Sequence, residues 1–428
     1  MPKDHGIVAK WWPIGICHPV SLLLPMMSGV FTRLVGQEAV EAELLAAARV
    51  ARGDSTHSSA GEGILTHAWL ITGPPGSGRS VAALCFAAAL QCTSTDGEPG
   101  CGHCRACTTT MAGTHADVRR VIPEGLSIGV DDMRAIVQIA SRRPTTGHRQ
   151  IVVIEDADRL TEGAANALLK VVEEPPPSTV FLLCAPSVDP EDIAVTLRSR
   201  CRHVALVTPS AEAIARVLVE SDGLDAETAN WAASVSGGHV GRARRLATDP
   251  EARQRRERAL GLVRDAVVPS RAYAAAEELV AAAEAEAIAL TADRAEAETE
   301  ELRTALGAGG TGKGTASALR GATGAIKDLE RRQKSRQTRA SRDALDRALV
   351  DLATYFRDAL VIAANAGEVR RNHPDMADRV AALGAHAPPE RLLRCIEAVL
   401  QCREAVAVNV KPKFAVDAMV ASIGQELG

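Results

Sequence analysis

Apolar residues recur at helical spacing from Ala39 to Val50, and Gly53 stops the pattern. After a polar loop at 54–63, HAWLITG (67–73) reads as a buried strand ending in glycine. It leads through PPGSGRS into the apolar helix VAALCFAAALQC. A Gly- and Cys-rich insert follows at about 92–115, and then ADVRRVIP (116–123) reads as a strand. VDDMRAIVQIASRR (130–143) is amphipathic and opens on acids, as a helix N-terminus should. RQIVVIEDAD (149–158) is a buried strand ending in acids, AANALLKVVEE a helix stopped by Pro175–Pro177, and TVFLLCAP (179–186) another buried strand. Strands alternating with helices imply a parallel sheet with crossover helices. After about residue 205 the strands stop. Residues 209–250 read as short helices broken at 236–238, and 251–428 as helical almost throughout.

Composition narrows the class. A chain of 428 residues predicts two or three domains. Hydrophobic residues make up 46% but aromatics only 3%, with alanine filling much of the gap. Cores of Ala, Val and Leu suit helix packing better than β-sandwiches. So few rings also argue against a platform for stacking single-stranded bases. A net charge of −4 supplies no global field toward nucleic acid. No run of apolar residues is long enough to predict a membrane span.

Residues 1–26 place Lys3 and Lys10 before an apolar run, but Pro13, His18, Pro19 and Pro25 interrupt it and no small-residue cleavage site follows. They read as a disordered extension. Within the helical C-terminal part, 283–345 is a charged stretch with a Gly-rich centre, read as an insertion of two helices joined by a flexible tip. Its basic run, Arg331 to Arg339, reads as a solvated helix face or as a set of phosphate contacts, and acids at 291–301 offer it partners across the hairpin.

Gly73-Pro74-Pro75-Gly76-Ser77-Gly78-Arg79-Ser80 matches a P-loop except that Arg79 fills the lysine slot. It follows a strand and opens a helix, the context the motif requires. Glycines let backbone N–H groups face phosphates, and Ser80 is placed to hold Mg²⁺. Arg79 is a planar fork rather than a point charge. Gly307 to Lys313 imitates the motif but lacks the Ser/Thr and the preceding strand, so it reads as a linker. Ile151 to Asp156 is a Walker B pattern, an apolar strand carrying Glu155 and Asp156 toward the P-loop, where metal and an attacking water both need oxygen ligands. The usual Asp-then-Glu order is reversed, and the shorter Asp156 positions a water poorly.

Cys92, Cys101, Cys104 and Cys107 offer four thiolates within a short span, the donor set of a closed structural Zn²⁺ site. Free thiols, an iron–sulfur cluster, or a ligand role for His103 or His115 are the alternatives. Cys17, Cys85, Cys184, Cys201, Cys395 and Cys402 read as ordinary cysteines of a reduced compartment.

Together these motifs resemble the bacterial clamp-loader family of AAA+ proteins. The resemblance covers about 30–250. It rests on Leu34-Val35-Gly36-Gln37, the P-loop, the four-cysteine insert, Asn166 through Pro176 (NALLKVVEEPP), Ser199-Arg200-Cys201 and Ser236 through Arg242 (SGGHVGR). It implies an α/β P-loop AAA+ domain with a parallel sheet over 27–205, carrying a zinc insert at 92–107. A small helical lid over 206–250 and an all-α collar over 251–428 would follow. By the same resemblance Arg200 is an arginine finger acting in trans, Ser187 takes the sensor-1 place and Arg242 is the sensor-2 residue of the lid. Lys170 decorates an exposed helix face or plays a part in the site.

Within that family the arginine at 79, the reversed acids and Pro123-Glu124-Gly125 point to a stator subunit with a weakened site. The alternatives are a motor ATPase of gamma/tau type and, from another class, a zinc-dependent DNA-binding module. The expected cofactors are structural Zn²⁺ and ATP with Mg²⁺. The expected partners are the other loader subunits (gamma/tau and delta) in a hetero-pentamer, with the sliding clamp and primed DNA met through the complex in the cytoplasm.

Overall fold

The structure is a computed structural model that describes residues 29–53, 65–306, 315–366 and 368–428. The extension at 1–26, Cys17 and the linker Gly307–Lys313 lie outside the described residues.

The N-terminal half alternates helix and strand: α1 (Glu38–Arg52), β1 (Ala68–Thr72), α2 (Arg79–Gln91), α3 (Arg105–Met111), β2 (Val118–Val121), α4 (Val130–Ala140), β3 (Gln150–Ile154), α5 (Glu162–Glu173), β4 (Thr179–Ala185), α6 (Val195–Arg198) and β5 (Arg202–Ala205). The five strands form one parallel sheet in the order β2-β3-β4-β1-β5. Strand side chains alternate faces. Trp69, Ile71, Ile151, Val153, Val180 and Leu182 therefore pack with α1 and α2 on one side. Leu70, Val152, Ile154, Phe181 and Leu183 pack with α4 and α5 on the other. Both faces are covered, which is why the central strands read as continuous apolar runs.

β5 is the one strand the apolar pattern missed. It is a short edge strand with alternate positions exposed, so it carries no apolar run. Arg202 holds that edge: its guanidinium pairs with Glu43 at 2.8 Å and lies 4.9 Å above the Trp69 ring.

Three short helices, α7 (Ala211–Glu220), α8 (Ala226–Val235) and α9 (Val240–Thr248), share a small core around Ile214, Leu218, Ala232 and Leu246. Ser210 and Asp225 cap the first two through their side-chain oxygens, and His239 caps α9 through Nδ1.

The rest is helical: α10 (Pro250–Ala266), α11 (Pro269–Ala305), α12 (Thr315–Ala363), α13 (Ala377–His386), α14 (Pro389–Ala407) and α15 (Pro412–Leu427). Leu345, Leu349, Leu352, Phe356, Leu392, Val399, Val416, Val420 and Ile423 build its core at helical spacing. The charged stretch 283–345 is the outer part of two continuous helices. Ala283 and Ala287 are buried at its start, and Ala344 and Leu345 at its end. Charge there marks the faces that leave the bundle, not the ends of the helices.

Candidate functional site

The P-loop runs from the end of β1 to the start of α2. Gly73, Gly76 and Gly78 all have positive φ, at 156°, 84° and 98°. That conformation turns backbone N–H groups inward and costs glycine little. A Cβ at Gly76 would overlap the ring and backbone of His239, so the N-cap of α9 sits directly on the loop. Gln37 ties the loop to the sheet edge. Its amide donates to the Val207 carbonyl at 2.6 Å and reaches the Ser77 carbonyl at 3.4 Å, while its oxygen accepts from Val207 N at 3.1 Å.

Two side-chain groups of the loop are orphaned. Ser77 Oγ and Arg79 Nη1 are buried, and neither has a hydrogen-bond partner. Ser80 stands one residue further into α2. Buried polar atoms without partners are uncommon and costly. Both belong to the glycine-rich turn that opens α2, and a phosphate oxygen is a group of the right chemistry to pair with them.

The acids at the end of β3 are already engaged. Arg120, from β2, donates Nε and Nη2 to Glu155 Oε1 at 3.0 and 2.7 Å. Asp156 has a left-handed backbone, φ 54°, and pairs with Arg339 of α12. The same guanidinium donates to the Pro123 carbonyl at 2.5 Å. Next to it, Arg336 is held by Glu298 of α11 and stands 3.7 Å from Glu124. Two of the run's five basic residues, Arg336 and Arg339, thus turn inward, whereas Arg331 stays exposed beside Asp328. Burial and the neighbouring Asp156 raise the Asp158 carboxyl above its ordinary value.

The remaining positions lie around this centre. Ser187 donates to Asp192 at 2.7 Å and accepts from Asp189 N, so it braces the loop after β4. Arg242 does not point at the loop: its guanidinium pairs with Asp351 of α12, and both are largely buried. His239 takes the place beside Gly76 instead. Burial, then Arg242 and Arg347, hold its imidazole below the usual value. Arg200 is at the surface after α6, with Nη2 2.6 Å from Glu173 and Nη1 donating to the Thr196 carbonyl. Lys170 is exposed on α5.

The four cysteines converge. Their Sγ atoms all lie within 4.8 Å of one another, with Cys92 and Cys104 at 4.0 Å. A tetrahedral ion with metal–sulfur bonds of about 2.3 Å sets sulfurs about 3.8 Å apart, so this donor set fits one with slight contraction. Backbone N–H groups of Cys104 and Cys107 point at Cys101 Sγ and Cys104 Sγ, as thiolates require. His103 and His115 are outside the cluster; His115 Nδ1 accepts from the Asp117 backbone.

Arg120, Arg339 and Asp351 were not marked by any motif. Arg120 is one of two adjacent arginines in the short strand VRRV, and Arg339 one of several arginines in a run. Neither pattern names a partner.

Residues 54–210 match the family described as DNA polymerase III, delta subunit, and residues 340–411 its C-terminal counterpart. The DNA polymerase III subunit delta' of Escherichia coli K12 is 40% identical over 145 residues, 33% of this chain and 43% of that one. That of Bacillus subtilis is 35% identical over 158 residues, 37% and 47% respectively. The gamma/tau subunit of Mycobacterium bovis is 31% identical over 174 residues, 40% of this chain and 28% of that one. The matched part spans about half the length of these delta' relatives or less. A gamma subunit-related protein of Thermotoga maritima superposes with a TM-score of 0.39 at 16% identity, covering 90% of this chain and 100% of that one. Among the described residues, no helix is long and apolar enough to cross a membrane.

Proposed function

We propose, from the premise that this chain belongs to the DNA polymerase III clamp-loader family of delta-prime and gamma/tau-like proteins, that it acts as the delta-prime stator subunit. In this reading it joins the other loader subunits through its C-terminal helices and helps place the sliding clamp on primed DNA. It supplies Arg200 to a neighbour's nucleotide site rather than turning over nucleotide in its own.

One observation carries the reading: both acids at the end of β3 already have arginine partners within this chain, Glu155 with Arg120 and Asp156 with Arg339. A carboxylate that neutralises an arginine is a poor ligand for Mg²⁺ and a poor base for water. His239 over Gly76 adds to this, because phosphates would need the space beside that glycine. Ser77 and Arg79 keep the chemistry of a phosphate cradle. Bound nucleotide would be held there by the loop backbone, with ATP supplying binding energy rather than a reaction. Arg200 has the exposure a finger needs, and Glu173 holds its fork at the surface until a partner site displaces it.

The four cysteines are assigned a structural Zn²⁺, since four protein thiolates leave no open coordination position. The residues of this chain that it would order are α3 and the link from α2.

Reconstitution of the pentamer with Arg200→Ala tests the role in trans. ATP turnover by the whole complex should fall by a factor on the order of 10³, as for loss of a trans-acting arginine. Unchanged turnover and clamp loading would remove the finger assignment. Brisk ATP hydrolysis by the isolated chain, abolished by Arg79→Ala, would favour a gamma/tau-type motor.

A further inference from the structure

We propose that the pocket between α10, α12, α13, α14 and α15 binds a small apolar carboxylate, an aliphatic chain ending in one carboxyl group. The pocket encloses about 460 Å³ within the C-terminal helical part, and no residue of the P-loop or of the cysteine cluster lines it.

Its body is apolar. Leu260 and Val263 of α10, Leu383 of α13 and Leu427 of α15 form the walls. Leu260 and Val263 also belong to the helical core, so the pocket reaches down to that core. Its volume falls within the roughly 300–1,000 Å³ of sites that enclose small organic ligands. A hydrocarbon chain entering it leaves water for an apolar surface.

The charge on its walls is positive and lacks partners. Arg264, Arg379 and Arg391 line the pocket. Arg264 has Asp265 at 3.4 Å, an acid it shares with Arg271. Arg391 donates to the Glu426 main-chain carbonyl at 3.1 Å and reaches no carboxylate among the described residues. Arg379 has neither a hydrogen bond nor an ion pair with a described residue. The acid in the wall, Glu426, is already held by Arg394 at 2.8 Å, and Arg394 is not part of the lining.

Tyr355 supplies a second, independent sign. The residue is only 6% exposed, and its ring meets Phe356 and His373 edge-on, at 6.3 and 5.8 Å between centroids. Its hydroxyl nevertheless forms no hydrogen bond with a described residue, although Tyr355 lines the pocket. Buried tyrosine hydroxyls normally find a partner. The Arg379 guanidinium is near enough to pull the hydroxyl down against the rise that burial causes. A phenol and a guanidinium thus stand together on an apolar wall, both donors and neither with an acceptor. A carboxylate accepts from both at once. A cation would meet three arginines, and a phosphate would set its remaining oxygens against leucine.

Calorimetric titration of sodium decanoate into the purified full chain, below its micellar concentration, tests this. One saturable site is expected. Acetate, which lacks the chain, and decylammonium, which carries the opposite charge, should bind at least tenfold more weakly. Arg379→Gln and Arg391→Gln, both at exposed positions, should each lower decanoate affinity at least threefold. Tyr355→Phe keeps the ring and should lower it too. Decylammonium binding as tightly as decanoate would make the pocket indifferent to charge and overturns the proposal. Decanoate affinity unchanged in both arginine variants, or no saturable binding at all, overturns it equally.

Discussion

The guanidinium of Arg339 pairs with the carboxylate of Asp156, across 183 positions of sequence. A residue of the C-terminal helices thereby occupies an acid at the end of β3, next to the central strand of the sheet. Replacing Arg339 with alanine leaves Asp156 and the Pro123 carbonyl without their donor. Stability should drop by about 1–3 kcal/mol, read as a lower midpoint in urea. The same change should raise the affinity for Mg²⁺-nucleotide, because the freed carboxylate becomes a metal ligand. If nucleotide affinity stays put while stability falls, Arg339 is a tie between domains and nothing more.

Zinc content is directly measurable. Elemental analysis of the protein purified without chelator should give one Zn²⁺ per chain, and none after Cys101→Ser. Stripping the metal should increase hydrogen exchange from residue 92 to 111, while the sheet stays protected, because the strand core does not depend on the insert. Full-length retention of zinc by the serine variant would count against the four-thiolate assignment.

His239 predicts a pH response of definite sign. Burial, with Arg242, Arg347 and Arg79 nearby, holds its folded-state value below that of the unfolded chain. The unfolded chain therefore takes up the proton first, so this contribution to stability is complete above about pH 6.5 and is lost as pH falls below it. Urea midpoints should decline between pH 7 and pH 5, and His239→Gln should flatten that decline. His115 and His373 are lowered by burial too, so part of the slope will remain. A slope identical in the variant would mean that His239 is solvated in solution.

Asp117 anchors the turn before β3. It accepts from the backbone N–H groups of Thr145, Thr146 and Gly147 and from two threonine hydroxyls, all between 2.6 and 2.9 Å. Burial alone would raise its carboxyl, but these donors outweigh it and hold the value well below the ordinary range. Its stabilisation is therefore present above about pH 3.9 and fades as pH falls lower. Asp117→Asn should cost about 2–4 kcal/mol at pH 7 and much less at pH 3, measured by urea unfolding.

Features written into short stretches of sequence were legible in advance. The strands at 68–72, 150–154 and 179–185 announce themselves because both faces of the sheet are covered. The cysteine cluster is legible because its members are close in sequence as well as in space. What resisted reading is long-range pairing. Arg242 looks like a residue aimed at nucleotide until Asp351 is known to face it, and no periodicity links residues so far apart. Likewise the charged stretch 283–345 could not reveal which arginines turn inward. The answer depends on where the neighbouring sheet ends, through Pro123, Glu124 and Asp156.

α12 holds the lid through Asp351 and the sheet through Arg339. These grips are 12 residues apart, about 18 Å along one rigid rod at 1.5 Å per residue. The helix is thus a caliper with one jaw on α9 and one at the end of β3, on either side of the glycine-rich loop. The gap between its jaws is fixed by helix rise and not by the contacts at the loop. Tilting the rod, by whatever grasps its outer end, would change the spacing of α9 and β3 without touching the loop itself.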